Sequence, residues 1–103
     1  LFDLPIQLPS IRAGVESVFH LFVVQVENRQ GLLKYLIEES ILAGVHYSLP
    51  VHLQPAYQNR IQIASDISTT ESLMHKIISL PIYPELSIND ANKVVNTLKK
   101  FYG

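Results

Sequence analysis

Apolar residues recur at helical spacing in two stretches of the chain. The first stretch follows Asn28, which can cap a helix by accepting from the free N–H groups of its first turn, and comprises Leu32, Leu33, Leu36, Ile37 and Ile41. The second follows Ser87, which has the acidic residue Asp90 at capping-box spacing, and comprises Ile88, Ala91, Val94, Val95, Leu98 and Phe101. The pattern predicts a helix after Asn28 and a terminal amphipathic helix.

A third, shorter helix is predicted from a capping box alone. Ser68 and Glu71 have the S-x-x-E spacing in which each side chain satisfies a backbone donor beside the other residue. We expect this helix to continue to about Lys76.

Three other apolar stretches favour strands. Val18 to Val26 is rich in Val and Phe and is too short for a buried helix, so it predicts a central strand covered on both faces or nearly so. Val45 to Val51 alternates imperfectly and contains Pro50, which suits a short strand that runs into a loop. Ile77 to Leu80 predicts a strand that Pro81 ends.

The first sixteen residues differ from the rest, because Pro5 and Pro9 exclude helix and favour extended backbone. We therefore predict an extended arm over residues 1–16 and one α+β domain over residues 17–103. Its order of elements is strand, helix, strand, loop, helix, strand, helix. This order predicts a small antiparallel or mixed sheet with the helices packed on one side.

Composition narrows the classes of partner. The 103 residues carry a net charge of −1, so no basic field is present to bind nucleic acid. No apolar run approaches the roughly 20 residues of a membrane-spanning helix. Cysteine is absent, which agrees with a reducing compartment and makes the cytoplasm the expected location. The chain opens at Leu1 without an initiator Met, so we expect a piece of a longer protein.

His46, Tyr47 and His52 are the residues whose type and position best suit a binding site, because they lie where a predicted strand becomes a loop. An alternative is that Tyr47 fills the core and His46 makes one structural hydrogen bond. A metal site is not predicted, since neither Cys pairs nor an H-E-x-x-H motif are present. No serine lies in a G-x-S-x-G motif, the glycines are isolated from one another, and the lysines read as surface charges. Residue types alone therefore predict no catalytic residue.

Three segments, taken together, resemble one family. His20 to Val24 (HLFVV), Val45 to Tyr57 (VHYSLPVHLQPAY) and Ser79 to Pro84 (SLPIYP) are similar, in order and over nearly the whole chain, to the C-terminal domain of the DegT/DnrJ/EryC1/StrS sugar aminotransferases. The resemblance implies a pyridoxal-phosphate enzyme of aminotransferase fold type I. Such an enzyme moves an amino group from glutamate to a ketone of a nucleotide-linked sugar.

The resemblance also implies how the parts of that enzyme are divided. The Schiff-base lysine and most cofactor contacts are expected in a large N-terminal domain that this sequence does not contain, within a parent enzyme that forms a homodimer. This chain alone is then expected to bind no cofactor and to be inactive. His46 and Tyr47 match the family's His-Tyr pair, expected to face the sugar nucleotide, and His52 lies in the matching loop. Their hydrogen-bond donors suit binding better than proton transfer.

The sequence departs from the family's pattern at four positions. Ser40 stands where a glycine usually ends the helix, at a cost of about 1 kcal/mol if the backbone is left-handed there. Ala43 replaces a common threonine, and Ser48 and Ser68 replace common prolines. The changes at Ala43 and Ser48 leave the particular sugar open.

Two other functions remain as alternatives. Residues 22–33 and 43–45 resemble the opening of an ACT-type amino-acid-sensing module. Such a module is expected to finish on a strand, whereas this chain is predicted to finish on a helix, which argues against the resemblance. The third hypothesis is an interaction domain without a ligand, which self-associates through an apolar face, since 48% of the residues are hydrophobic.

Overall fold

The computed structural model describes residues 1 and 3–103 and has the predicted α+β architecture. Its elements are β1 (Ile6–Gln7), β2 (Phe22–Val26), α1 (Arg29–Glu38), α2 (Ser68–Leu73), β3 (Ile77–Leu80) and α3 (Ile88–Tyr102), with one turn of 3₁₀ helix at Val51–Leu53. The strands form an antiparallel sheet in the order β1-β2-β3.

The alternation of side chains along β2 and β3 gives the sheet two different faces. Val24 pairs with Ile78 and Phe22 with Leu80, and these side chains point to the same face because directly opposed residues do so. That face packs against α1 and α3, in a core that includes the fully buried Leu98. Burial of each such side chain contributes roughly 1.5–3 kcal/mol.

Both long helices begin at the predicted caps. The side chain of Asn28 accepts from the N–H of Gly31 at 3.2 Å, ahead of α1. Ser87 accepts from the N–H of Asp90 at 3.0 Å, and its hydroxyl donates back to the Asp90 carboxylate at 2.6 Å. These contacts satisfy donors that a helix N-terminus otherwise leaves free. The predictions for both helix starts are confirmed.

Two of the predicted strands differ from the structure. The strand predicted from Val18 begins only at Phe22, because Phe22 pairs with Leu80, the last residue of β3. Val18 lies outside the sheet and is 94% exposed. The strand predicted over residues 45–51 is absent and that prediction is wrong. Its place is taken by a single bridge between Gly44 and Ser79, followed by turns, because the chain leaves the edge of β3 after one residue. The strand predicted over Ile77–Leu80 is confirmed at both ends.

The capping box predicted ahead of α2 does not form, although the helix does. Ile67 occupies the cap position and Ser68 is the first helical residue. The backbone N–H and the hydroxyl of Ser68 donate to Asp66, and Glu71 contacts His52 instead. Competing side chains therefore replace the predicted pair.

The predicted arm contains a strand. Ile6 pairs with Val26 and Gln7 with Gln25, so β1 covers the outer edge of β2, and Ile6 is buried in the core. Residues 8–21 contain neither a helix nor a strand.

Candidate functional site

The face of the sheet away from α1 and α3 borders a cavity of about 310 Å³. Ile77 and Ser79 point to this face, because they alternate with the core residues Ile78 and Leu80. The apolar part of the lining is Leu49, Pro50, Val51, Leu73, Met74 and Ile77. The polar part is His46, Tyr47, Gln54 and Thr70. A mostly apolar depression with a few polar groups is typical of small-molecule sites.

His46 is held by contacts with the edge of the sheet. Its Nδ1 lies 2.9 Å from the hydroxyl oxygen of Ser79, which is 5% exposed. Two backbone hydrogen bonds fix the chain just before His46, from Gly44 N–H to Ser79 C=O at 3.0 Å and from Ser79 N–H to Gly44 C=O at 2.8 Å. The ring also lies against Gly44, where a Cβ atom would be 2.9 Å from the ring atom Cε1. Gly44 therefore leaves the space that the imidazole occupies.

Tyr47 follows on the same turn and is 74% exposed. Its ring stands at 81° to the ring of His46, with 5.4 Å between the ring centroids, in an edge-to-face arrangement. The alternative that Tyr47 fills the core is therefore wrong. Its exposure leaves the phenol beside the cavity open to contact with a ligand.

His52 has different contacts. Its Nε2 lies 3.0 Å from a carboxylate oxygen of Glu71, and its side chain is only 11% exposed. This contact joins the 3₁₀ turn to α2, and the end of α2 is also joined to α1 by a hydrogen bond from the Arg29 guanidinium to the carbonyl of Met74. The structure thus brings His46 and Tyr47 to one cavity and places His52 outside its lining.

Four residues that shape the site are not among the site residues predicted from the sequence. Ser79 and Gly44 position His46, and Gln54 and Thr70 add polar groups to the lining. Gln54 and Ser79 do lie within the segments that carry the family resemblance, which is the signal that could have found them. Ser79 is 33 residues from His46, so spacing alone could not pair them.

The described residues do not fit a cofactor that needs a desolvated lysine. None of the lysines lines the cavity, and each is at least partly exposed: Lys34, Lys76, Lys93, Lys99 and Lys100. Lys76 in addition forms an ion pair with Glu27 at 3.0 Å. Among residues 1 and 3–103, no three His, Asp or Glu side chains are grouped so that they could hold a metal ion.

Asp66 and Tyr102, which do not line the cavity, have shifted pKa values. Hydrogen bonds from the backbone N–H and the hydroxyl of Ser68 lower the pKa of the exposed Asp66 carboxyl. Burial, and then the charge of Glu27, raise the pKa of the Tyr102 phenol. In the part of the chain that the structure describes, no helix has both the length and the apolar character needed to cross a membrane.

Comparison with known proteins gives relatives that match nearly the whole of this chain. The erythromycin biosynthesis sensory transduction protein EryC1 of Saccharopolyspora erythraea is 40% identical over 100 residues, a match that covers 96% of this chain and 27% of that protein. The dTDP-3-amino-3,6-dideoxy-alpha-D-galactopyranose transaminase of Aneurinibacillus thermoaerophilus is 35% identical over 96 residues, which cover 93% of this chain and 26% of the transaminase.

Solved structures also match nearly the whole of this chain. A DegT DnrJ EryC1 StrS aminotransferase from Brucella abortus matches with a TM-score of 0.89 and 33% identity, over 96% of this chain and 26% of that one. The protein ntda from Bacillus subtilis, solved with its cofactor PMP bound, matches with a TM-score of 0.78 and 25% identity, over 93% of this chain and 22% of that one.

This chain therefore spans about a quarter of the length of the relatives it matches. The model of the DegT/DnrJ/EryC1/StrS aminotransferase family matches residues 1–99, nearly the whole chain. The chain belongs to the DegT/DnrJ/EryC1/StrS aminotransferase family.

Proposed function

We propose that this chain is the C-terminal domain of a pyridoxal-phosphate-dependent nucleotide-sugar aminotransferase, in which His46 and Tyr47 contact the sugar nucleotide. In the proposed reaction an amino group passes from glutamate to a keto group of the sugar. The family match over residues 1–99 supports the enzyme class, and the names of the relatives support a sugar nucleotide as substrate.

The observation that carries the substrate-binding part is the shared cavity of His46 and Tyr47. Its volume of about 310 Å³ lies at the lower end of the range of roughly 300–1,000 Å³ for small-molecule sites. A sugar nucleotide has a base, a diphosphate and a sugar, so a cavity of this size suits one part of it. The rest of the ligand is then bound by the remainder of the enzyme.

The charge of the lining favours the sugar as that part. None of the described lining residues is Lys or Arg, the side chains that bind diphosphates most strongly. The imidazole of His46, the phenol of Tyr47, the amide of Gln54 and the hydroxyl of Thr70 are groups that hydrogen-bond to sugar hydroxyls. We therefore assign the sugar, and not the diphosphate, to this cavity.

The cofactor belongs to another part of the proposed enzyme. Pyridoxal phosphate would supply the electron sink for amino transfer. No step is assigned to the lysines of this chain, because none lines the cavity. We further propose that a large N-terminal domain provides the cofactor lysine and that the parent enzyme is a homodimer. This chain by itself is then inactive.

His52 differs from His46 and Tyr47, because it does not line the cavity. It lies in the loop that matches the family, and its Nε2 is within hydrogen-bond distance of the Glu71 carboxylate, outside the cavity lining. We propose that it acts on the site through the loop, because the His52–Glu71 contact ties the 3₁₀ turn at Val51–Leu53 to α2, and Val51 lines the cavity.

The test is a titration of the ¹⁵N-labelled chain with dTDP-glucose, with dTDP alone as the comparison. Chemical-shift changes at His46, Tyr47, Gln54 and Thr70 with dTDP-glucose, and not with dTDP, are expected. Because only part of the ligand is held, we expect a dissociation constant of about 1 mM or weaker. Changes that dTDP produces equally well would contradict the assignment of the sugar, and the absence of changes at these residues with either ligand would contradict the substrate-binding role.

A further inference from the structure

We propose that Ser79 is a positioning residue that fixes the neutral His46 ring as the tautomer protonated on Nε2, so that the ring offers a hydrogen-bond donor to the sugar. This inference rests on the proposed function of the cavity. It adds a residue to the site that does not line the cavity itself.

The burial of Ser79 determines the direction of its hydrogen bond with His46. The Ser79 side chain is buried on β3, and a buried hydroxyl proton without an acceptor costs roughly 1–3 kcal/mol. Among the described side chains and backbone groups, Nδ1 of His46 is the hydrogen-bond partner of this hydroxyl, at 2.9 Å. The hydroxyl therefore donates its proton, and Nδ1 accepts it.

The hydrogen bond at Nδ1 determines which nitrogen of the neutral His46 ring carries the proton. A neutral imidazole carries one proton, on one of its two nitrogens. Because Nδ1 is the acceptor, the proton is on Nε2. No described protein group forms a hydrogen bond with Nε2 of His46, so this donor remains for a ligand in the cavity that His46 lines.

Backbone and core contacts hold Ser79 and the His46 ring in fixed positions. Ser79 lies between two strand residues of the core, Ile78 and Leu80, and its backbone exchanges two hydrogen bonds with Gly44. Gly44 is two residues from His46, and its lack of a Cβ admits the ring. The hydroxyl, the ring and the backbone leading to the ring are thus all fixed to one strand, as expected of a group that orients another.

The Nε2-protonated tautomer of His46 matches the hydrogen-bond acceptors that a keto sugar offers. Sugar hydroxyls and keto oxygens accept hydrogen bonds, and the keto oxygen can only accept. A ring fixed as an Nε2–H donor discriminates in favour of an acceptor at the position it faces, whereas a ring free to change tautomer does not.

The test uses ¹⁵N-histidine labelling of the whole 103-residue chain at about pH 8.5, where an ordinary imidazole is neutral. Long-range nitrogen–proton spectra distinguish the two tautomers by the nitrogen shifts and couplings. His46→Gln identifies the signals. The same spectra are recorded for Ser79→Ala and for Ser65→Ala, a control that removes an exposed hydroxyl outside the cavity lining.

The expected result is a single Nε2-protonated form in the wild type and in Ser65→Ala, and a measurable fraction of the Nδ1-protonated form in Ser79→Ala. The affinity for dTDP-glucose is expected to fall about threefold to tenfold in Ser79→Ala alone. Ser79→Thr, which keeps the hydroxyl, is expected to restore both readouts.

Two results would overturn the inference: an Nδ1-protonated His46 in the wild type, or a Ser79→Ala chain with the wild-type tautomer and affinity. The wild-type spectrum decides the first point even if the variants do not fold. A wild-type chain that binds no dTDP-glucose contradicts the proposed function, whereas one that binds it with an Nδ1-protonated ring contradicts this inference alone.

Discussion

The backbone N–H of Ile41 donates to the carbonyl of Leu36 at 2.8 Å and closes the C-terminus of α1. The N–H of Ser40 donates to Ile37 at 3.0 Å, which completes the pair of bonds that defines a Schellman motif. Ser40 has the positive φ of 59° that this motif requires, and Ile41 is buried in the core with Leu36. The left-handed helix end expected from the family resemblance is present, with serine in place of glycine.

We predict that Ser40→Gly raises the free energy of unfolding by about 0.5–1 kcal/mol. Glycine avoids the steric cost of a Cβ atom at positive φ, and its greater freedom in the unfolded chain offsets part of that gain. Urea unfolding of the wild type and the variant measures the difference. Ser40→Ala, which keeps the Cβ atom, is the matched control and should show no such gain. Equal stability of the Gly and Ala variants would contradict the explanation.

We predict that Tyr102→Phe reduces the loss of stability at alkaline pH. Burial raises the pKa of Tyr102 in the folded chain, with a further contribution from Glu27. A group with a raised folded pKa contributes stability that is complete below its unfolded pKa of about 10 and is lost as pH rises through the folded value. Phenylalanine removes that contribution to the pH dependence.

The Tyr102 variant also tests a buried polar atom. Among the described residues, the Tyr102 hydroxyl has no hydrogen-bond partner, so its removal should be neutral or stabilising at pH 7. Urea unfolding measured from neutral pH to above pH 10 tests both points, with the exposed Tyr57→Phe as control. An alkaline loss in Tyr102→Phe as steep as in the wild type would show that another group causes it.

We predict that the chain self-associates through an apolar surface at the end of α1. Ile37 and Leu42 are 65% and 87% exposed, and Leu42 also borders a groove with Ile82 and Tyr83. Exposed apolar area of this kind favours burial against another surface. Analytical ultracentrifugation over a concentration series should show an average mass that rises with concentration, and less so for Leu42→Ser. Monomers throughout the series would count against this prediction.

We predict that pyridoxal phosphate forms no adduct specific to one lysine of this chain. The lysines are at least partly exposed and none lines the cavity beside His46, so none occupies the desolvated pocket that activates a Schiff-base lysine. Borohydride reduction followed by mass spectrometry should give low labelling spread over several lysines. Stoichiometric labelling of one lysine would place a cofactor site on this chain.

Local sequence signals predicted much of the fold. Asn28 and Ser87 cap helices through contacts within three residues, so the helix starts could be found from sequence alone. Pro81 follows β3 directly, which fixed the end of that strand. The alternating residues after Gly44 led to the wrong prediction of a strand over residues 45–51. Alternation does not show whether a neighbouring strand is available for pairing.

The candidate site was less accessible to sequence reasoning. His46 and Tyr47 could be named from residue type, loop position and family resemblance. Their cavity depends on contacts between distant segments: Ser79 with His46, and Glu71 with His52. The capping box expected at Ser68 failed for the same reason, since Glu71 found its partner 19 residues away.

The most direct test of the central claim is the affinity of dTDP-glucose for His46→Gln and Tyr47→Phe, compared with the controls His75→Gln and Tyr83→Phe. The control residues are exposed and lie outside the cavity lining. Loss of one hydrogen bond predicts about threefold to tenfold weaker binding for each site variant and wild-type binding for each control. Wild-type affinity in both site variants would contradict the claim that this cavity binds the sugar.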